Sequence, residues 1–154
     1  MIEVPPAAVM LAKRFEGVHR VPKNDPGRAY PYICPAGFWT IGYGRLCDPN
    51  HAPITVDEAE AYLAHDLQSA LAATLRLCPV LAVEPEERLA AIVDFTFNLG
   101  AGRLQTSTLR RRINQRAWSS AAIELCRWVH GGGQVLKGLV SRREAEIELL
   151  ALNF

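Results

Sequence analysis

The sequence has no long hydrophobic run, no closely spaced cysteines and almost no net charge. Its longest stretch without a charged residue, 29–44, contains two prolines and three glycines, so it cannot form a membrane-spanning helix. The first residues lack the basic start and apolar core of a secretory signal, so we expect none. The four cysteines form no CxxC pair and no metal-ligand run with a histidine, which argues against a structural zinc site.

The composition is that of a folded domain. The 154 residues are 49% hydrophobic and 21% charged, without repeats or low-complexity tracts. The net charge of +1 conceals an asymmetry: residues 1–102 carry 8 basic and 12 acidic side chains, whereas residues 103–154 carry 9 and 4. A basic half attracts anionic polymers such as nucleic acid, a carboxylate-bearing glycan or lipid phosphate. The alternative is that Arg110, Arg111 and Arg112 form a solvated helix face.

Helix signals dominate the chain. Pro5-Pro6 begins a helix that ends at Glu16-Gly17, and the Thr55-to-Glu58 capping box begins another that stops before Pro79. Pro85 begins a helix that ends near Gly100 and has little polar face, so we expect it to be buried. Shorter helices are predicted near 107–114, 119–129 and 139–151. About two-thirds or more helix with one small sheet predicts an α+β fold.

A β-hairpin is predicted between Tyr30 and Gly44, with its turn at Pro35-Ala36-Gly37. Alternation along the second strand places Trp39, Ile41 and Tyr43 on an inward face. Thr40 then faces outward on the opposite, less bulky face of the strand, as a residue on the floor of a cleft would. We expect one domain with an N-terminal lobe of about 1–55, a linker helix of about 56–77 and a helical C-terminal lobe of about 78–154.

Glu16 is the candidate acid. Cleavage of a glycosidic bond needs an acid that protonates the leaving oxygen, usually with a second polar group that positions water. A carboxyl at a helix end against an apolar core is partly desolvated and keeps its proton nearer to neutral pH. Glu16 follows Phe15 and precedes the predicted hairpin, so it has this placement.

An ordered set of motifs resembles the phage-type lysozymes, the endolysins of glycoside hydrolase family 24. Phe15-Glu16-Gly17, followed by the hairpin and Trp39-Thr-Ile-Gly-Tyr-Gly44, is similar to their active-site signature. The likeness extends over nearly the whole chain, through Ile54-Thr-x-x-Glu-Ala-Glu60, Asp94-Phe-Thr-Phe-Asn-Leu-Gly100, Ser107-Thr-Leu109, Arg127-Trp-Val-His-Gly-Gly132 and Gly138-Leu-Val-x-Arg-Arg-Glu-Ala-Glu146. The resemblance implies a two-lobed, mostly helical lysozyme fold with a small N-terminal sheet, and a glycan in the cleft between the lobes.

The resemblance implies that Glu16 is the general acid and that Thr40 holds the attacking water. The family places an Asp six residues before this Thr, where the present sequence has Cys34. A thiol is mostly neutral at pH 7 and cannot supply the full charge of a carboxylate. Three explanations stay open: Cys34 assists as a base or nucleophile, Asp25 reaches the site, or Glu16 acts alone. We favour Cys34, because Asp25 would leave nine extra residues before Thr40.

The resemblance also implies the substrate and the partners. We expect hydrolysis of the β-1,4 bond between N-acetylmuramic acid and N-acetylglucosamine in peptidoglycan, with Phe38, Tyr43, Asn98 and Thr108 contacting the glycan. We expect no metal, cofactor or nucleic acid, and a monomer that stays in the host cytoplasm until another agent releases it to the wall. The basic half could also hold anionic wall or outer-membrane polymers. The alternatives are a lytic transglycosylase that uses Glu16 alone and a non-catalytic glycan-binding relative.

Overall fold

A computed structural model describes residues 1–152, which are 57% helical and form seven α-helices with three small antiparallel sheets. The helices are α1 (Pro6–Glu16), α2 (Val56–Leu77), α3 (Glu86–Leu99), α4 (Ala101–Gln105), α5 (Thr108–Asn114), α6 (Trp118–Leu125) and α7 (Lys137–Ala151), with a 3-10 turn at Pro79–Ala82. The α+β class is confirmed. The helix content is below the predicted two-thirds, because short strands and loops occupy more of the chain than the sequence indicated. Within this described part, no helix has both the length and the apolarity needed to cross a membrane.

The strands are short, and most contain two residues. They are β1 (Arg28–Ala29), β2 (Tyr32–Ile33), β3 (Trp39–Ile41), β4 (Arg45–Leu46), β5 (Ile54–Thr55), β6 (His130–Gly131) and β7 (Gln134–Val135). β3 lies between β2 and β4, β1 pairs with β5, and β6 pairs with β7. The predicted hairpin is confirmed as β2 and β3. The other strands were not predicted, since two residues are too few to show an alternating pattern.

The contacts divide the chain into two compact units. We call residues 12–66 the small unit, and Met1–Leu11 with the residues from Leu67 onward the helical unit. The first eleven residues therefore group with the C-terminal part of the chain, whereas the sequence placed them in the N-terminal lobe. The predicted lobe boundaries stay a prediction.

The small unit has a compact apolar cluster. Its members come from β1, β3, β5 and the first turn of α2, and are Ala29, Ile41, Ile54 and Ala59, against which Val18, Tyr43, Cys47 and Tyr62 pack. α2 begins as predicted, since the hydroxyl of Thr55 accepts the N–H of Glu58 at 3.0 Å. This cluster holds β3 beside the start of α2.

The helical unit is built around α3, whose residues 88–96 are all buried, as the sequence predicted. α3 packs against α7, and two charged pairs lie in this interface. Arg142 donates to both carboxylate oxygens of Asp94 at 2.8 and 2.7 Å, and Arg143 donates to Glu146 at 2.7 Å. The Arg142–Asp94 pair satisfies the requirement that a buried charge has a partner, whereas burial raises the pKa of Glu146 in the second pair.

The sequence places Trp128, Cys78 and Cys126 in apolar helical contexts, which predicts that all three pack in the core. The outcomes differ. Trp128 packs edge-on against buried Phe95 with ring centroids 5.5 Å apart, which confirms it as a packing residue. Cys126 was predicted to be buried but is exposed, while Cys78 is buried as predicted. The reason is that α6 ends at Leu125 rather than near 129, so that Cys126 is its C-cap rather than part of its apolar stripe.

Candidate active site

Glu16 is the last residue of α1, as predicted. Gly17 follows with a φ of 61°, and its N–H donates to the carbonyl of Lys13 at 3.0 Å. A glycine in this left-handed conformation ends a helix at low steric cost. The half-buried side chain of Glu16 therefore stands at the point where the backbone leaves the helix.

The carboxyl of Glu16 lies against the backbone of Gly44. A Cβ atom added at Gly44 would be 2.8 Å from Oε2 and 3.4 Å from Cδ of Glu16, and the φ of Gly44 is +83°. Position 44 therefore needs glycine both for its backbone conformation and for this close approach. The sequence indicated Gly44 only as the last residue of the Trp39-to-Gly44 motif, and its place in a glycine-rich segment was the available signal for this contact.

Thr40 occupies the middle of the three-stranded sheet. It pairs with Tyr32 across β2 and β3, and its hydroxyl donates to the carbonyl of Tyr32 at 3.2 Å. The expectation that Thr40 faces outward was wrong, since it is only 2% exposed, whereas Trp39 is 38% exposed and Ile41 is buried. Two features explain the error in the predicted direction of Thr40. β3 is the central strand of its sheet, and it ends at Ile41, so Tyr43 does not belong to the alternating in-and-out pattern of the strand.

Cys34 closes the turn between β2 and β3. Its N–H donates to the carbonyl of Phe38 at 2.9 Å, and its own carbonyl accepts the N–H of Gly37 at 2.8 Å. Alternation from the Tyr32–Thr40 pair places Cys34 on the same sheet face as both of these residues. Cys47 follows β4 on the opposite face, and both thiols are free.

Tyr32 is the site residue that sequence reasoning missed. Burial raises the pKa of its phenol, the charges of Glu16, Cys34 and Cys47 raise it further, and a hydrogen bond with the Thr40 side chain lowers it. Tyr32 is therefore electrostatically coupled to Glu16 and to both cysteines, and it pairs with Thr40 in the sheet. Its ring also contacts His19, with centroids 5.1 Å apart. The register of the hairpin, which pairs Tyr32 with Thr40, was the signal that could have identified it.

Asp25, the alternative to Cys34, is engaged elsewhere in the small unit. Its carboxylate accepts the hydroxyl of Tyr30 at 2.8 Å, and its carbonyl accepts the N–H of Arg28 at 3.3 Å. The bond to Asp25 is the main cause that raises the pKa of Tyr30. Asp25 is thereby held in the loop that leads into β1, which belongs to the two-stranded sheet rather than to the sheet that carries Thr40.

The predicted glycan contacts are divided between the two units. In the small unit, Phe38 is 60% exposed, whereas Tyr43 is partly buried and donates to Glu60 Oε1 at 2.7 Å. In the helical unit, Asn98 accepts a hydrogen bond from Arg143 at 2.8 Å, and Thr108 begins α5. Their contact with a glycan stays a prediction. Within residues 1–152, no group of three or more His, Cys, Asp or Glu side chains is arranged to hold a metal ion.

The chain was compared with protein families, curated proteins and solved structures. Residues 13–146 match the family described as phage lysozyme. An endolysin of Acyrthosiphon pisum secondary endosymbiont phage 1 is 34% identical over 90% of this chain and 90% of its own length. An endolysin of Bacillus phage B103 is 33% identical over 91% of this chain but only 51% of its own length.

A solved structure supports the same assignment. The muramidase domain of SpmX from Asticaccaulis excentricus superposes with a TM-score of 0.78 at 29% identity, covering 98% of this chain and 99% of that domain. The family predicted from the motifs is therefore confirmed by two independent kinds of comparison. This chain belongs to the phage lysozyme family.

Proposed function

We propose that this protein is an endolysin that hydrolyses the β-1,4 bond between N-acetylmuramic acid and N-acetylglucosamine, with Glu16 as the general acid. The observation that carries the proposal is the placement of Glu16 at the end of α1, with its carboxyl against Gly44 in the turn that follows β3 and Thr40. An acid that protonates the leaving oxygen is the first requirement of glycoside hydrolysis. Family membership supports the substrate class.

Thr40 is suited to orient the attacking water as a hydrogen-bond acceptor. A hydroxyl has one proton, and that of Thr40 is donated to the carbonyl of Tyr32. Oγ1 can therefore accept but not donate a further hydrogen bond, and we propose that it accepts one from the attacking water. In the reaction, Glu16 gives its proton to the leaving sugar oxygen as the bond from that oxygen to the anomeric carbon breaks. The water oxygen bonds to the same carbon, and the proton that the water releases passes to a base, for which Cys34 as a thiolate is the candidate.

Cys34 is the better candidate for assisting this water than Asp25. It shares a sheet face with Thr40, whereas the carboxylate of Asp25 is bonded to Tyr30 in the loop before β1. In its thiolate form, Cys34 can accept the proton that the water releases, or attack the sugar itself. If neither happens, Glu16 alone could support elimination within the sugar, which is the lytic transglycosylase alternative.

The decisive experiment combines four variants with product analysis. Glu16→Gln keeps the shape of the side chain and removes its acid, so lysis of bacterial walls should fall by at least 10²-fold, on the order expected for a general acid. Glu58→Gln, an exposed glutamate in the first turn of α2, is the matched control. Mass spectrometry distinguishes a reducing sugar end, which hydrolysis produces, from an anhydro end, which transglycosylation produces.

The same assay separates the remaining candidates. Cys34→Ser should reduce hydrolysis more than Asp25→Asn does if Cys34 assists the water. Undiminished lysis by Glu16→Gln would refute the proposal. Wall binding by the unmodified protein without any cleavage product would identify it as a non-catalytic glycan-binding relative.

We further propose that exposed basic residues of the helical unit hold anionic wall or outer-membrane polymers. Arg103, Arg111, Arg127 and Lys137 are exposed, whereas Arg142 and Arg143 are buried in ion pairs. Arg110 donates to the carbonyls of Leu77 and Gln105 and so belongs to the packing of this unit. We expect the protein to act as a monomer and to reach the wall from the host cytoplasm only when another agent releases it.

A further inference from the structure

Two side chains from different parts of the small unit converge on Glu60 of α2. Lys13 Nζ lies 2.7 Å from Glu60 Oε2, and the hydroxyl of Tyr43 donates to Glu60 Oε1 at 2.7 Å. Lys13 belongs to the last turn of α1, and Tyr43 to the turn between β3 and β4. Each oxygen of one carboxylate therefore holds a different segment.

These two segments are the ones that meet at the candidate acid. The carbonyl of Lys13 accepts the N–H of Gly17, so Lys13 closes the helical turn that carries Glu16. Tyr43 directly precedes Gly44, whose backbone lies against the carboxyl of Glu16. Glu60 thus joins the helix end that bears Glu16 to the turn that supports it.

We propose that Glu60 is a positioning residue, which fixes the carboxyl of Glu16 against Gly44 through Lys13 and Tyr43. This inference rests on the proposed role of Glu16 as the acid. Positioning of this kind matters because a displacement of about 1 Å at a reacting group can cost on the order of 10²-fold in rate.

The contacts of Glu60 with Lys13 and Tyr43 are held in place by the packing of Tyr43, and Glu60 stays charged near neutral pH. Tyr43 packs against the apolar cluster of the small unit, and burial together with the bond to Glu60 raises the pKa of its phenol to about 12. The bonds from Lys13 and Tyr43 lower the pKa of Glu60. Tyr43 therefore keeps its donor proton, and Glu60 keeps both acceptor oxygens, at the pH where the wall is cleaved.

The same contacts contribute little to global stability. The side chains of Lys13 and Glu60 are 42% and 39% exposed, and ion pairs this open are weak because water screens them. Variants at Glu60 should therefore fold, and a loss of rate in them would not simply reflect unfolding.

The test measures kcat, KM and the pH profile on soluble glycan chains. Glu60→Gln keeps an acceptor for Tyr43 and loses the charge for Lys13, whereas Glu60→Ala loses both bonds. We expect kcat to fall about tenfold in Glu60→Ala and less in Glu60→Gln, with KM changed less than about twofold. The pH dependence of kcat should also change, whereas a purely structural role of Glu60 would leave it unchanged. Glu58→Gln, two residues earlier on α2, is the control.

Coupling between the partners gives a second, independent readout. If Tyr43 acts through Glu60, Tyr43→Phe should reduce kcat in the native background and have little further effect in Glu60→Ala. Additive losses in the double variant, or an unchanged kcat and pH profile in Glu60→Ala, would overturn the inference. If Glu16→Gln is inactive while Glu60→Ala is fully active, only this inference fails; if Glu16→Gln is active, the proposed acid fails first.

Discussion

At the scale of single residues, two positions decide the geometry around Glu16. Gly44 leaves room for the carboxyl, and Thr40 presents an oxygen whose proton is already donated to Tyr32. Neither effect depends on charge. Both can therefore be tested by substitutions that leave the titratable groups of the site unchanged.

Gly44→Ala should reduce activity through steric displacement of Glu16. The new Cβ would lie 2.8 Å from Oε2, and the φ of +83° adds strain of about 1–2 kcal/mol. Gly37→Ala is a matched control, because Gly37 has a φ of +89° with no atom within 4 Å of the added Cβ. We expect both variants to lose similar stability in thermal unfolding, but only Gly44→Ala to lose at least tenfold in kcat. Equal activity of the two would contradict the contact.

Thr40→Val and Thr40→Ser should separate the hydroxyl from the shape of the side chain. Valine has the same shape but cannot accept a hydrogen bond from water, so we expect roughly a 10²-fold loss of kcat. It also cannot donate to the carbonyl of Tyr32, so we expect a loss of about 1 kcal/mol in the free energy of unfolding. Serine retains the hydroxyl and should keep most of the activity. Steady-state kinetics and urea unfolding measure both effects, and an active valine variant would exclude Thr40 from the reaction.

At the scale of elements, the α3–α7 interface contains a buried carboxyl that favours its protonated form. Burial raises the pKa of Glu146 well above its usual range, Arg143 opposes this, and the nearby carboxylate of Asp94 adds to it. Oε2 of Glu146 has no hydrogen-bond partner as an acceptor. A proton on Oε2 could instead be donated to Asp94, which would satisfy both carboxyl groups while Arg142 holds Asp94 from the other side.

The stability of the helical unit should therefore depend on this proton. Because the folded-state pKa of Glu146 is raised, the folded chain binds more protons than the unfolded chain above about pH 4.3. The free energy of unfolding should fall as pH rises from there toward the raised pKa. Glu146→Gln carries no such proton, so its stability relative to the native chain should increase with pH in urea unfolding. A difference that is constant across pH would show that Glu146 does not retain its proton.

At the scale of the whole molecule, the exposed basic residues of the helical unit should matter only on the intact wall. Replacing Arg103 and Arg111 by glutamate reverses charge at exposed positions. We expect slower lysis of intact walls at low salt, a weaker dependence on salt and unchanged cleavage of short soluble glycans. The Arg103→Lys, Arg111→Lys double variant is the control. Equal salt dependence of all three proteins would refute a role for these charges.

The order and the boundaries of the main helices could be predicted from the sequence. α2 begins directly after Thr55, whose hydroxyl caps it, and ends before Pro79. α3 is bounded by Pro85 and Gly100. These boundaries are set by local backbone chemistry, namely caps, missing N–H groups and left-handed glycine. The position of Glu16 at the end of α1 followed from the same rules.

What the sequence by itself determined is thus every helix except α4, the β2–β3 hairpin, the family and the candidate acid. The tertiary structure alone decided that Thr40 is buried, that the carboxyl of Glu16 lies against Gly44, and that Lys13 and Tyr43 meet at Glu60. The physical reason is that capping and alternation act between near neighbours. Contacts between segments tens of residues apart depend on how the elements pack, and no local pattern encodes that.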